Sequence, residues 1–419
     1  MRIAIVGTGI SGLTAAHYLH REHEITVFEA DTRVGGHANT VDVTVDGREH
    51  AVDTGFIVYN EQNYPGFVAL LRDLGIATQP TDMSFGVSDR TTGIEFRATN
   101  LNTIFAQRRN VANRPFLRML TDILRFNRAA RALVESSAGD GAPEMTLREF
   151  LRRGRYSPDF ARQFIVPLGA SLWSADPETF TEMPALAYAR FMYNHGLLQI
   201  TRRPQWRTIT GGSRNYVQAL TAGFSDRIRV ATPIRKIVAA PAGGAGVELL
   251  TEQGPESFDR VIVATHSDQA LRMLADSTPA ERAVLGAIRY QRNTTTLHTD
   301  ERMLAAEPRA RASWNYTVRV GAQRATVTYC MNSLQSIEST RPLLVTLNRR
   351  DEIDERSVLA EFEYAHPVFD AAAMSAQRRR DEIQGTRGIY FAGAYWGYGF
   401  HEDGVQSARA VVRAMGAER

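Results

Sequence analysis

The sequence predicts an α/β protein. A Rossmann-like nucleotide-binding domain is carried in several pieces of the chain, with an α+β domain interleaved between them. Three observations carry that expectation. Arg2–Val6 (RIAIV) is a short apolar run with β-branched residues, long enough for a buried strand and too short for a helix. It enters Gly7-Thr8-Gly9-Ile10-Ser11-Gly12, a G-x-G-x-x-G, and then a helical pattern over Leu13–Leu19. A second apolar run, Ile25–Phe28, ends on Glu29 and Ala30. Strand, glycine turn, helix, strand and acid in this order make the βαβ unit that binds dinucleotides.

Each part of the unit has a physical task. Gly7 permits the tight turn, Gly9 lets backbone approach a pyrophosphate, and Gly12 lets the helix lie against the strand. The helix N-terminus, at Ile10 and Ser11, offers free N–H groups and the positive end of the helix dipole to phosphate. Glu29 is placed to accept hydrogen bonds from ribose hydroxyls, and its charge would repel a 2′-phosphate. The unit alone does not separate NAD from FAD.

The next residues do. Arg33-Val34-Gly35-Gly36-His37 continues the unit with an R-x-G-G segment, and here the chain resembles the FAD-dependent amine oxidase and phytoene desaturase superfamily. Asp53-Thr54-Gly55-Phe56-Ile57 resembles that family's next segment. Gly388–Gly393 (GIYFAG) with Gly404-Val405-Gln406-Ser407-Ala408 looks like its closing strand-to-helix motif. The resemblance implies a glutathione-reductase-type, amine-oxidase-like fold with FAD as cofactor. Arg33, Gly35, Gly36 and His37 would lie along adenosine and pyrophosphate, and Gly55, Phe56 and Ile57 would reach the isoalloxazine ring. Ile234 would stand near adenine, and Ala264 and Thr265 at a strand end facing the cofactor. Gly393, Ala394, Glu402, Asp403, Gly404 and Val405 would close the flavin site.

The 419 residues and 43% hydrophobic content suffice for more than one core. A formal net charge of +3 gives no case for a nucleic-acid partner. Lys236 is the only lysine, and Cys330 the only cysteine. A single cysteine excludes an intramolecular disulfide framework and fits a reducing compartment. Its place in the apolar run Ala325–Met331 reads as a buried structural thiol. A strand starting at residue 2 leaves no room for a signal peptide, and no apolar run reaches the length of a bilayer span. The expectation is a cytoplasmic protein, either soluble or peripheral on the inner membrane face.

In chain order, Val41–Val45 and Arg48–Val52 flank Asp46-Gly47, a hairpin signal, and Phe67–Leu74 reads as a helix stopped by Gly75. Phe85–Ser88 and Ile94–Phe96 form a second hairpin that opens the inserted domain. From Leu101 to about Arg155, apolar residues interleave with Arg108, Arg109, Arg114, Arg118, Arg125, Arg128 and Arg131, and Asp122 is the only acid between Arg108 and Arg131. Two readings of this stretch stand: a basic amphipathic surface for an anionic membrane, centred on residues 101–135, or a solvated arginine face over an ordinary core helix. Gly139–Pro143 reads as a loop, with helices over Phe160–Leu168 and Ala185–Tyr193. Met192–Leu198, with His195, reads as pocket wall or as core. The flavin domain resumes near Thr210-Gly211-Gly212, with Ser213 as N-cap of a helix to Leu220. Strands follow over Ile228–Val230, Ile234–Val238 and Phe258–Thr265, then a helix after Ser267. Thr294–His298, Val318–Val320 and Ala325–Cys330 supply further inserted-domain strands, and Ile389–Ala392 the last flavin-domain strand. The domains expected are 1–80, 205–270 and 385–419 for FAD, and 81–204 and 271–384 for substrate.

Only one G-x-G-x-x-G is present, so a second nucleotide site for NAD(P)H is not expected. Amine oxidases of the superfamily commonly hold a water near the flavin with a substrate-domain lysine, and this chain has none there. The family's acid after the last strand's glycine is here Ala394, with Glu402 or Asp403 as possible replacements. Tyr395-Trp396-Gly397-Tyr398-Gly399-Phe400-His401 sets aromatics beside the flavin, suiting a long apolar substrate. His401 is the candidate proton acceptor, against the plainer role of bonding a neighbouring loop, and Tyr395 is a second candidate. No metal site is expected: His401, Glu402 and Asp403 are adjacent, and His17, His20 and His23 lie on a helix that must pack on the sheet. The C-terminal run looks closest to bacterial flavoproteins associated with fatty-acid modification, including desaturation of methyl-branched unsaturated chains on the way to furan fatty acids. The reading is an FAD-dependent oxidoreductase that takes hydride from an apolar or lipid substrate. Alternatives are an isomerase or oxidase of a polyene or porphyrinogen, then an amine oxidase, and, outside enzymes, a flavin-stabilised binding module.

Overall fold

The computed structural model describes residues 1–136, 145–199, 203–239, 246–319, 321 and 324–416. The loop expected at Gly139–Pro143 and the strand end at Val320 lie outside the described residues. Arg2–Val6 forms the centre of a five-stranded parallel sheet. Its order is Ile228–Arg229, Glu24–Phe28, Arg2–Val6, Arg260–Val263, Ile389–Phe391. Alternation along the central strand decides the layers. Ile3 and Ile5 face one core with the helices Ile10–Leu19 and His401–Ala414, while Ala4 and Val6 face a second core with Phe28, Val261 and Val263.

A seven-stranded sheet lies in the order Val358–Pro367, Tyr290–His298, Leu344–Leu347, Val327–Cys330, Trp314–Val318, Phe85–Asp89, Ile94–Arg97. It is antiparallel except where Trp314–Val318 runs parallel to Phe85–Asp89. Helices between Arg114 and Asn194 share one core with this sheet, and Phe126 sits at its centre against Phe150, Tyr156, Phe160 and Tyr188. Tyr59–Asn60, Trp206–Ile209 and Thr78–Thr81 make a small antiparallel sheet. The hairpin Thr40–Val45/Arg48–Asp53 turns at Asp46 and Gly47, both with positive φ, as the Asp-Gly pair requires.

Several boundaries differ from the sequence reading. The run Phe258–Thr265 is split at Asp259: Gly254–Phe258 belongs to a three-stranded antiparallel sheet, and Arg260–Val263 to the parallel one. Asp259 accepts the Arg2 amide at 2.7 Å, which pins the crossing. The strand expected from Ile234 begins at Lys236, and Ile234 packs in the core. A π-helical turn, Ala161–Ile165, interrupts the helix expected over Phe160–Leu168. The final helix begins at His401, two residues before Asp403. Cys330 is half-buried rather than buried, because it ends its strand.

Candidate active site

The glycine turn builds one end of a cavity of about 640 Å³. Gly7 has φ +104°, which a side chain would strain. A Cβ at Gly12 would run into the Gly7 carbonyl oxygen, so the helix can lie this close only with glycine there. A Cβ at Gly9 would meet nothing within 4 Å, and Gly9, Ile10 and Ser11 line the cavity. The helix they begin has no side-chain cap and no acid in its first turn. Its N–H groups and dipole are therefore left for an anion supplied from outside the chain.

Glu29 lines the same end. Its carboxylate accepts from the Thr8 amide at 2.9 Å, from the Thr8 hydroxyl, and from the Asp31 amide at 2.9 Å, so the acid is fixed before any ligand arrives. Arg33 donates to the Gly36 carbonyl at 2.7 Å and holds the R-x-G-G turn. The turn passes so near the glycine loop that a Cβ at Gly36 would lie 2.9 Å from Gly9 Cα. The Phe56 amide donates to the His37 carbonyl at 2.8 Å, joining this turn to the Gly55–Ile57 segment.

Of the residues singled out in the sequence, Gly7, Gly9, Ile10, Ser11, Glu29, Arg33, Gly36, His37, Gly55, Phe56, Ile57, Ala264, Thr265, Gly393, Ala394, Tyr395 and His401 all line the cavity. Eight do not. Gly12, Gly35 and Ile234 are buried away from it, and Ala30 is exposed. Glu402 points elsewhere, accepting from the Gly66 and Phe67 amides at 2.9 and 2.8 Å, where helix Pro65–Asp73 begins. Asp403 accepts from the Tyr398 and Phe400 amides at 3.0 and 2.9 Å, and burial raises its pKa to about 6. Gly404 and Val405 pack the final helix on the first: a Cβ at Gly404 would lie 2.7 Å from Ile10 Cγ2. Ser213 is no side-chain cap either. Its own backbone is helical, and its amide and hydroxyl both serve Asp53.

The aromatic run is shared out among three surroundings. Tyr395 and Trp396 turn back into the core beside the parallel sheet. Burial raises the Tyr395 phenol above its ordinary value, so it stays protonated. Tyr398 and Phe400 turn forward onto Phe191 and Trp173. His401 stacks on Phe56, with ring centroids 3.5 Å apart, and its Nε2 is hydrogen-bonded to the Tyr216 hydroxyl at 3.0 Å. Burial lowers its pKa to about 3, so the ring is neutral.

Two features escaped the sequence reading. The first is a group of histidines. The His37 ring lies 5.3 Å from His366 and 6.1 Å from His266, and all three line the cavity. Burial lowers each pKa, and for His37 and His366 neighbouring imidazoles add to the effect; His366 falls to about 4. The Asn293 amide donates to His366 Nδ1 at 3.1 Å, which leaves the proton on Nε2. The second is Asp53, buried, which accepts from Thr40, Ser213 and Gln335 and ties three segments together behind Gly55. Burial raises its pKa to about 6. No local signal marks either grouping, because, Thr40 and Asp53 on one hairpin apart, its members come from distant segments.

The far end of the cavity is apolar: Met83, Leu172, Phe191, Trp206, Trp314 and Phe400 line it. Phe191 stands one residue before the stretch weighed as pocket wall, whereas Met192 and His195 are buried. Lys236 is exposed on its strand, away from the cavity.

The family model described as flavin containing amine oxidoreductase matches residues 10–299. The chain belongs to this family. It is an FAD-dependent oxidoreductase, and the uncapped helix end, the open space at Gly9 and the preset Glu29 fit that cofactor. Among solved structures, a putrescine oxidase is similar with a TM-score of 0.70 at 15% identity, each chain covered to 100%. A cyclohexylamine oxidase from Brevibacterium oxydans has a TM-score of 0.70 at 17% identity, each chain covered to 99%. A CLA-producing fatty acid isomerase from P. acnes has a TM-score of 0.70 at 14% identity, covering 99% of this chain and 98% of its own. At these identities the likeness is one of fold. No curated protein matches this flavin-containing amine oxidoreductase by sequence.

Proposed function

We propose that this enzyme oxidises an unsaturated or methyl-branched fatty acyl chain, carried on a phospholipid, by removing hydride and a proton from adjacent carbons. One observation carries the reading: among the described residues, the apolar end of the cavity offers no carboxylate to an ammonium group. Among the described residues four acids line the cavity, and each has a partner, Asp268 through Oδ2 alone. Glu29 holds Thr8, Asp31 lies 3.7 Å from Arg33, Asp268 pairs with Arg272, and Glu363 with Arg292. A cationic amine would enter aromatic walls without a counter-charge, at a desolvation cost. A neutral hydrocarbon chain would enter at a gain of about 0.8 kcal/mol per buried CH₂.

Bound FAD supplies the acceptor for the hydride, that is, for two electrons and one hydrogen. The chain's own residues do the rest. The aromatic walls exclude water and align the acyl chain. His401, neutral and fixed by Phe56 and Tyr216, accepts the proton at Nδ1, its Nε2–H donating to the Tyr216 hydroxyl. A new carbon–carbon double bond balances the loss, and the electrons then pass to dioxygen or another acceptor. Isomerisation of the same chain is the second reading, favoured by the fatty acid isomerase that shares this fold.

The test begins by extracting the purified yellow protein with organic solvent and analysing the extract by mass spectrometry. Anaerobic mixing with the lipid recovered should bleach the flavin and yield a product lacking two hydrogens. Bleaching by primary amines and not by acyl lipids would overturn the reading. Unbleached flavin with a shifted double bond would select isomerisation.

A further inference from the structure

Helix Arg114–Ser136 has two unlike faces. Phe116, Met119, Phe126 and Ala130 are buried on the inner one. Leu117, Leu124 and Arg128 follow at i, i+7 and i+11 and so share one outward strip. Leu124 is 51% exposed, and the chain leading into the helix leaves Leu101 74% and Val111 58% exposed. Isolated exposed leucines are ordinary on protein surfaces. Here they are interleaved with arginines of which only Arg125 meets an acid among the described residues.

Seven arginines stand between Arg108 and Arg131 against one acid. That acid, Asp122, is buried and spent: it pairs with Arg125 at 2.5 Å and accepts from the Ser157 amide at 2.9 Å. Arg125 also donates to the Gly154 carbonyl and lies over the Tyr156 ring, and Arg131 reaches the Leu198 carbonyl. Arg114, Arg118 and Arg128 are exposed and form no ion pair among the described residues. A merely solvated arginine face would need no leucines in its midst.

We propose that this face is a docking surface for an anionic phospholipid bilayer. The helix lies in the interface, with Leu117 and Leu124 against the acyl boundary and Arg114, Arg118 and Arg128 at the headgroup phosphates. No described helix is long and apolar enough to cross a membrane, so surface docking is the mode these helices offer. The position also suits an apolar substrate. Helix Arg114–Ser136 packs on Ala185–Asn194, which puts Phe191 into the cavity wall, so one helix separates the docked face from the cavity. The proposal stands on the helix surface and does not depend on which substrate the cavity takes.

Sedimentation of the flavin-loaded protein with vesicles tests it. Wild type should sediment with phosphatidylcholine vesicles containing phosphatidylglycerol, stay in solution with phosphatidylcholine alone, and be released by high salt. The triple variant Arg114→Glu/Arg118→Glu/Arg128→Glu should partition more weakly by a factor on the order of a hundred, while the three Arg→Lys changes retain binding. Leu117→Gln/Leu124→Gln should weaken binding without altering its salt dependence. All these side chains are exposed, and an unchanged flavin spectrum confirms that each variant is folded. Failure of wild type to sediment with anionic vesicles, or equal sedimentation of the triple glutamate variant, would overturn the proposal. Equally tight, salt-sensitive binding to double-stranded DNA would also overturn it, by showing an unselective polyanion site.

Discussion

Gly9 and Gly12 sit three residues apart in one turn and need glycine for different reasons. At Gly12 the obstacle is the protein's own backbone, because a methyl group would strike the Gly7 carbonyl. At Gly9 the space beside the backbone belongs to the cavity. Gly9→Val should therefore fold normally and purify with little or no flavin, whereas Gly12→Ala should lose folded yield; absorbance ratios and far-UV circular dichroism separate the two. His401 gives a second test. His401→Ala should keep its flavin yet reduce it anaerobically about 10²-fold more slowly with substrate, the usual scale for a lost acid–base group. Full turnover in that variant would pass the role to His37, His266 or His366. His37 was legible in the R-x-G-G segment, but its grouping with the other two was not, because positions 37, 266 and 366 meet only when that turn, the residue preceding helix Ser267–Met273 and the edge strand Val358–Pro367 converge.

At the scale of elements, the final helix was legible and the duties of its first turn were not. Glu402 and Asp403 carry the right charge for a helix N-terminus near a cofactor, yet both are used on backbone amides. Glu402 caps helix Pro65–Asp73, whose N-cap residue Tyr64 gives no side-chain cap of its own. Removing a carboxylate from two such amides costs about 1–3 kcal/mol. Glu402→Ala should lower the melting temperature while leaving the flavin spectrum unchanged. A loss of flavin without a loss of stability would instead return Glu402 to the cofactor site. The π-helical turn at Ala161–Ile165 and the break at Asp259 were equally hidden, since both adjust a correct element type to a neighbour that comes from elsewhere in the chain.

Across the whole molecule, burial of titratable groups fixes a pH dependence. His195, His298 and His366 are held at about 4 and His401 at about 3 by burial, against 6.5 unperturbed. Because the folded values are depressed, the unfolded chain takes up protons first. The stability these groups allow is full above about pH 6.5 and declines as pH falls toward 4. Asp53 and Asp403, raised to about 6 by burial, act in the opposite sense, since the native state takes up their protons first as pH falls from 6 toward 3.8. With His17, His37 and His266 also lowered, seven imidazoles outnumber two carboxyls, so the melting temperature should fall from pH 6.5 to 4. A constant or rising melting temperature across that window would show that the buried carboxyls dominate.

The sequence by itself determined the parts whose physics is local. The βαβ unit, its glycine turn, the acid at Glu29, the R-x-G-G turn, the Asp-Gly hairpin and the basic amphipathic helix each depend on spacing within a few residues. Tertiary structure alone decided which way each side chain of the aromatic run faces, that Asp53 joins three segments, and that, among the described residues, no carboxylate lines the apolar end of the cavity. Those outcomes depend on surfaces contributed by residues far apart in the chain, and periodicity records only that a face is apolar, not what it will meet.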